Sequence, residues 1–254
     1  MLAPDDIWPQ TIGALYADAR AAGWSPRELE RLLAVNDLVD PLFAGWRRAS
    51  GRPFTAHLCG VAALALRYGG SQQDVLAGFG HAVFEGGAYG REGASPRRLA
   101  SQLLADAAFE GARDLIEDYA RFDWRDFIRR SEYDADAAVT SAPRRCVFLR
   151  IVNEMDDALD WPFLNETRRT AGTDELAASV GIADAFGWTK LADAASALRD
   201  CMAASQAVRT PGRDGAYFVT PPGYRRAAGP RLARLADRLV SSVSHRGGPG
   251  GRRR

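Results

Sequence analysis

Arg48-Ala49-Ser50-Gly51-Arg52-Pro53-Phe54-Thr55-Ala56-His57 is the stretch that decides how this chain reads. A Gly/Pro turn runs straight into a helix opening near Phe54, and along that helix His57 falls in line with Val61, Leu64, Ala65 and Tyr68. The imidazole therefore points inward with the core side chains, where it needs a polar partner. The next histidine, His81, lies in the apolar run Val75-Leu76-Ala77-Gly78-Phe79-Gly80-His81-Ala82-Val83-Phe84-Glu85. Its pattern predicts a helix over about 73–85, with Glu85 four residues beyond His81 and so on the same face. The chain has only three histidines, and two at inward positions of neighbouring helices point to a shared polar site.

A third segment joins them. Phe148-Leu149-Arg150-Ile151-Val152-Asn153-Glu154-Met155-Asp156-Asp157-Ala158-Leu159 predicts an apolar helix, within about 144–160 and ended before Pro162, that carries a polar stripe of Asn153, Asp156, Asp157 and Asp160. Burying carboxylates is costly unless they are paired or hold a metal. Three helices thus converge a histidine, a histidine with a glutamate, and an asparagine with an aspartate.

These residues resemble the HD superfamily of helical metal-dependent phosphohydrolases, and most closely the hydrolase domain of stringent-response guanosine tetraphosphate synthetase/hydrolases. That family enters its site through Arg-x-Ser-Gly-x-Pro-aromatic-x-x-His, continues with His-Asp and, three residues later, Glu-Asp, and closes with Lys-Leu-Ala-Asp-Arg-Leu-x-Asn. The matching stretches are Arg48 to His57, His81 to Gly86, and Arg150 to Asp157, and the resemblance spans roughly residues 40–165. It implies a metal held by His57, His81 and the position of Asn153, with Glu85 and His81 as catalytic residues and Arg48 at the substrate. Asp157 and Tyr89 are further candidate substrate contacts. Two of the family's carboxylate ligands are missing: Ala82 and Asn153 stand in their places, and Gly86 replaces the acid beside Glu85. A hard ion such as manganese prefers several oxygen ligands, so the implied centre is weakened or shifted towards iron or zinc, and the metal could be absent.

Each residue also has a plainer reading. Asn153 could cap a buried backbone group, Asp157 could pair with Arg48 or Arg150, Arg48 could be solvated beside its turn, and Glu85 could be structural. The glycine-rich run from Gly86 to Gly93 reads as a loop, either a lid or phosphate-contacting turn or a connector to the helix at Ser95-Pro96. His245 adjoins the C-terminal tail and is not expected at the site.

The fold class expected is all-α, an HD-domain-like helical bundle with additional C-terminal helices. One domain is expected over 1–245, with a core of about 40–165 and a helical extension of about 166–245, followed by a disordered basic tail, 246–254. Further helices are predicted over 9–22, 26–45, 54–69, 174–187, 189–206 and 229–244, with Ser95 to Phe122 as one long or broken helix and Trp124 to Arg130 as a short one. Ala216 to Thr220 is strand-like, and one strand makes no sheet. At 254 residues and 46% hydrophobic composition the chain can bury a sizeable core.

Net charge of +1 excludes a dedicated nucleic-acid or membrane surface as the main expectation, leaving a small-molecule substrate. Of 33 basic residues only Lys190 is lysine, which reads as coding bias. Cys59, Cys146 and Cys201 are widely spaced within apolar stretches, fitting reduced thiols; with no leader-like N-terminus and no apolar span, a soluble, cytoplasmic protein is expected. Three functions remain open: a metal-dependent hydrolase of a polar or phosphorylated small molecule, a repurposed biosynthetic enzyme using a transition metal or metal-free acid/base chemistry, and a non-catalytic ligand-binding descendant.

Overall fold

Side chains that catch the first unpaired backbone N–H groups mark where the early helices begin. Thr11 accepts from Ala14 N–H and opens α1 (Ile12–Ala21). Ser25 and Ser71 open α2 (Pro26–Phe43) and α4 (Gln72–Gly80) through reciprocal capping boxes with Glu28 and Asp74. Between them, α3 (Phe54–Arg67) has no side-chain cap; Phe54 N–H instead donates to Trp46 O at 2.9 Å, so the preceding turn starts the helix.

The computed structural model describes residues 8–48, 50–85, 95–133, 135–163 and 166–206. Among these residues it is all-α, with a lone β-bridge between Arg47 and Pro53 and no strand. Downstream come α5 (Pro96–Leu103), α6 (Arg113–Tyr119), α7 (Trp124–Tyr133), α8 (Ala135–Ser141), α9 (Arg144–Asp157), α10 (Glu166–Ala185) and α11 (Thr189–Gln206), with short 3₁₀ turns at Ala107–Phe109 and Ala158–Phe163. Helix α3 is the central element, buried at every position from His57 to Ala65 and packed on α4, α9 and α1. Such all-round burial needs neighbours on every side, and the small residues Gly60, Ala62 and Ala63 let them approach. Helices α10 and α11 pair with one another and cover α9 and the turn after it.

Several sequence expectations change in detail. The helix expected over 73–85 ends at Gly80, and residues 81–85 form tight turns, with Val83 N–H on Gly80 O at 3.2 Å and Glu85 N–H on Ala82 O at 2.9 Å. The cause is the His81 ring, whose Nδ1 donates to Gly78 O at 2.7 Å and so occupies the carbonyl that the next helical N–H would have used. His81 and Glu85 consequently do not share a helical face. Likewise α9 stops at Asp157, and its continuation past Pro162 is the 3₁₀ turn rather than α-helix. Ser95 to Phe122 is broken, because Asp106 turns its side chain onto Ala108 N–H at 2.8 Å and caps a new turn. Helix α8 has no counterpart in the sequence reading, α7 runs past Arg130, and α10 begins well before residue 174. The 86–93 run with Tyr89, the strand-like 216–220 segment, the 229–244 helix and the 246–254 tail lie outside the described residues. No described helix is long and apolar enough to cross a membrane.

Replacing Ser71 by Ala removes the cap of α4, the helix that delivers His81. It is expected to cost about 1 kcal/mol and lower the melting temperature by roughly 2–4 °C, measured by thermal denaturation followed by circular dichroism. No change in melting temperature would show that Asp74, through Arg145, holds that helix end without Ser71.

Candidate two-histidine centre

The planes of the His57 and His81 rings stand at 79°, with Nε2 of one 3.3 Å from Nε2 of the other, and both are buried. Their outer nitrogens fix the tautomers. His81 Nδ1 faces the Gly78 carbonyl at 2.7 Å and therefore carries hydrogen; His57 Nδ1 lies 2.7 Å from Asp156 Oδ2 and donates to that carboxylate. Two Nε2 lone pairs facing each other at this distance require something positive between them, a proton or a metal ion. An ion bound at about 2.0–2.1 Å to each of two imidazoles sets their nitrogens roughly 3–3.4 Å apart. The spacing and the anchored outer nitrogens fit a metal-ligand pair. Burial, with the neighbouring His57 ring, pushes the His81 imidazole down to about 3, so it is neutral at ordinary pH.

Behind His57 lies a buried ion network. Asp156 has no exposed surface, and its Oδ1 accepts from Trp8 Nε1 at 2.8 Å and Gln10 Nε2 at 3.1 Å, while Oδ2 accepts from His57 and from Arg52 Nη2 at 2.7 Å. Burial alone would raise its pKa, but the His57 ring and the Arg52 guanidinium outweigh burial and hold it well below the usual carboxylate range. Asp160, also buried, joins Arg48, Arg52 and Ser50, and Arg48 reaches Asp157 as well. These contacts tie the 48–52 turn, with Gly51 at φ +88°, to the C-terminal end of α9. Only glycine adopts that backbone conformation without strain.

One oxygen each of Asp156 and Asp157 and a nitrogen of His57 lie within 4.8 Å of one another, a grouping that could hold a cation. Every lone pair on the Asp156 side is already engaged by a donor, and Arg52 and Arg48 supply the positive charge there. The open ligand face is the Nε2 side.

On the far side of His81, the Tyr119 ring packs edge-on at a centroid distance of 5.5 Å, and Tyr119 Oη accepts from Arg150 Nη1 at 3.1 Å. Arg150 also contacts Glu154 Oε1 at 2.8 Å, without the alignment of a hydrogen bond, and its Nε has no hydrogen-bond partner among the described residues. Burial raises the Glu154 carboxyl well above its ordinary range despite the arginine.

The structure therefore brings together His57, His81, Asn153, Arg48 and Asp157 in one region. Asn153 is buried, with its amide nitrogen 3.4 Å from Asp157 Oδ2, and Asp157 pairs with Arg48 as the plainer sequence reading had it. Arg48 is half-buried and ion-paired rather than solvated. Glu85 sits at the exposed rim; the protein packed around its carboxyl raises its pKa, an effect limited by that exposure, while Arg150 opposes it. Arg52, Tyr119 and Arg150 escaped the sequence reading as site residues, and Asp156 and Asp160 entered it only as members of a polar stripe. Arg52 lies inside the Arg48-to-His57 stretch, which was the available signal. No family model and no curated protein matches this chain.

Acid sensitivity follows from the centre. His81 is held neutral by the fold but binds a proton near pH 6.5 once unfolded, and Asp156 stays ionised in the fold to lower pH than in the unfolded chain. In both cases the unfolded state binds more protons, so stability falls as pH drops from about 6.5 towards 3. Urea unfolding across that range should show the decline, and His81→Gln should reduce its slope by up to about 1.4 kcal/mol per pH unit. An unchanged slope in the variant would mean that His81 is already protonated in the folded protein.

Proposed function

We propose that this chain is an HD-like enzyme of the cytoplasm that hydrolyses a polar or phosphorylated small molecule at a divalent-metal centre built on His57 and His81. The observation that carries this reading is the pair of buried imidazoles whose Nε2 atoms face each other at 3.3 Å while both Nδ1 atoms are anchored. Desolvating two imidazoles in this arrangement costs stability, which a bound ion would offset. The match of the Arg48-to-His57 stretch and of the histidine spacing to the HD family supports the same reading. A cytoplasmic location is supported by the buried thiols of Cys59 and Cys146.

His57 and His81 would hold the ion, with the Asn153 side-chain oxygen a candidate third ligand, because its amide nitrogen is turned to Asp157. When bound, the metal would lower the pKa of a water and polarise the scissile group. Glu85 takes a proton from the attacking water or returns one to the leaving group at its carboxylate oxygens, and a raised pKa suits that exchange. His81 serves better as ligand than as proton carrier, since an imidazole pushed down to about 3 seldom holds a second proton. Arg48 and Asp157 present a paired donor and acceptor to a polar substrate.

A second reading is favoured by one specific observation. Both carboxylates that the family places on the metal are replaced, by Ala82 and Asn153, and two imidazoles with one carboxylate suit iron chemistry in a repurposed biosynthetic enzyme.

Metal analysis of the purified protein should find zinc or iron in preference to manganese, and the double variant Ala82→Asp, Asn153→Asp should bind manganese more tightly than the wild type. Equal manganese affinity in both proteins would count against the family's ligand arrangement. Glu85→Gln keeps the shape but removes the titrating group, so turnover should fall roughly 10²–10⁴-fold. A folded variant with full activity would take Glu85 out of the mechanism, and a wild type that binds ligands without turnover would leave a non-catalytic descendant.

A further inference from the structure

Asp156 is placed with more care than an ordinary buried ion pair requires. A Cβ at residue 60 would lie 1.9 Å from Asp156 Oδ1 and 2.6 Å from Gln10 Nε2, so only glycine at that point of α3 leaves room for the carboxylate. Trp8 and Gln10, from the segment before α1, close over the same oxygen. Arg52, from the turn before α3, supplies the counter-charge. Three segments thus converge on this one carboxylate of α9, whose other oxygen meets His57 Nδ1 at 2.7 Å.

We infer that Asp156, backed by Arg52, is a positioning residue that locks His57 in its Nδ1-protonated tautomer, turns Nε2 towards His81 and strengthens it as a metal ligand. The inference rests on the metal-centre reading above and extends it. A carboxylate behind a ligating imidazole fixes ring orientation and raises the basicity of the ligating nitrogen. In this chain it would partly offset the carboxylates absent at positions 82 and 153, because electron donation comes through His57 rather than from an oxygen on the ion. A centre supported in that way takes nitrogen-preferring ions such as zinc, cobalt or iron(II).

Arg52 makes this arrangement tolerable. Its Nη2 lies 2.7 Å from Asp156 Oδ2, the same oxygen that meets His57 Nδ1 at 2.7 Å, so the guanidinium compensates the buried carboxylate and holds it in place against the ring.

Cobalt(II) titration of the full-length protein, followed by its visible absorption bands, tests the role. Asp156→Asn keeps volume and an acceptor oxygen but removes the charge, and is expected to weaken cobalt binding roughly 10–100-fold and to shift the absorption bands. Trp8→Phe deletes a hydrogen bond to the oxygen facing away from His57, so it should destabilise the fold yet leave cobalt affinity within about twofold of wild type, a small change on the scale of ligand-supporting contacts. Cobalt binding by Asp156→Asn equal to wild type, or an equal loss in Trp8→Phe, overturns the inference while leaving the metal centre standing. A wild type that binds neither cobalt nor zinc overturns the metal centre itself, and the inference with it. Long-range ¹H–¹⁵N spectra of the zinc-loaded wild type test it without any variant that must fold: Nδ1-protonated His57 is expected, and Nε2-protonated His57 overturns it.

Discussion

A carboxylate with no exposed surface is the constraint on which the rest of this structure turns. Asp156 is buried beneath α3, and an isolated charge in that position would be far too costly to keep. Its neutralisation by Arg52 and its donors from Trp8, Gln10 and His57 make it tolerable, and those partners come from the segment before α1, the turn before α3 and α3 itself. Burying the charge therefore ties the N-terminal segment, the turn at residues 48–52, α3 and α9 into one unit. A buried ion network is weak evidence for stability, but once it has formed, removing one member strands the others.

The second anchor is a helix end. His81 terminates α4 by giving its Nδ1 hydrogen to the Gly78 carbonyl, and the same bond aims Nε2 at His57. Structure and site are served by a single hydrogen bond. This local arrangement also takes Glu85 off the helix and leaves it exposed at the rim of the region, where Arg150, Asp157, His57 and Arg48 still act on its carboxyl.

Charge around the centre is arranged in closed pairs. Arg48 lies against Asp157 and Asp160, Arg52 against Asp156 and Asp160, and Arg150 against Glu154 and Tyr119. Guanidinium groups so engaged hold the walls of the region in register, and their planar forks suit contact with two acceptors at once. Between these pairs, the Nε2 atoms of the two histidines face each other at 3.3 Å.

Helical periodicity alone was enough to place α1, α2, α3 and α11 and to turn His57 inward, because burial on one face follows from a period of 3.6 residues. The apolar setting of His81 and the polar stripe on α9 were legible for the same reason, and so was the convergence of those segments, since buried polar groups have to find one another. Which polar group meets which was not legible. Asp156, Asp157 and Asp160 are equivalent in sequence, and only the packing of α9 against α3 gives Asp156 to His57, Asp157 to Arg48, and Asp160 to the arginine turn. The end of α4 at Gly80 was hidden as well, because it depends on a side chain competing for a backbone carbonyl, a choice that no hydrophobic pattern encodes. Periodicity reports which face of a helix is buried, whereas hydrogen-bond partners depend on distances between segments far apart in the chain, and those exist only once the fold has formed.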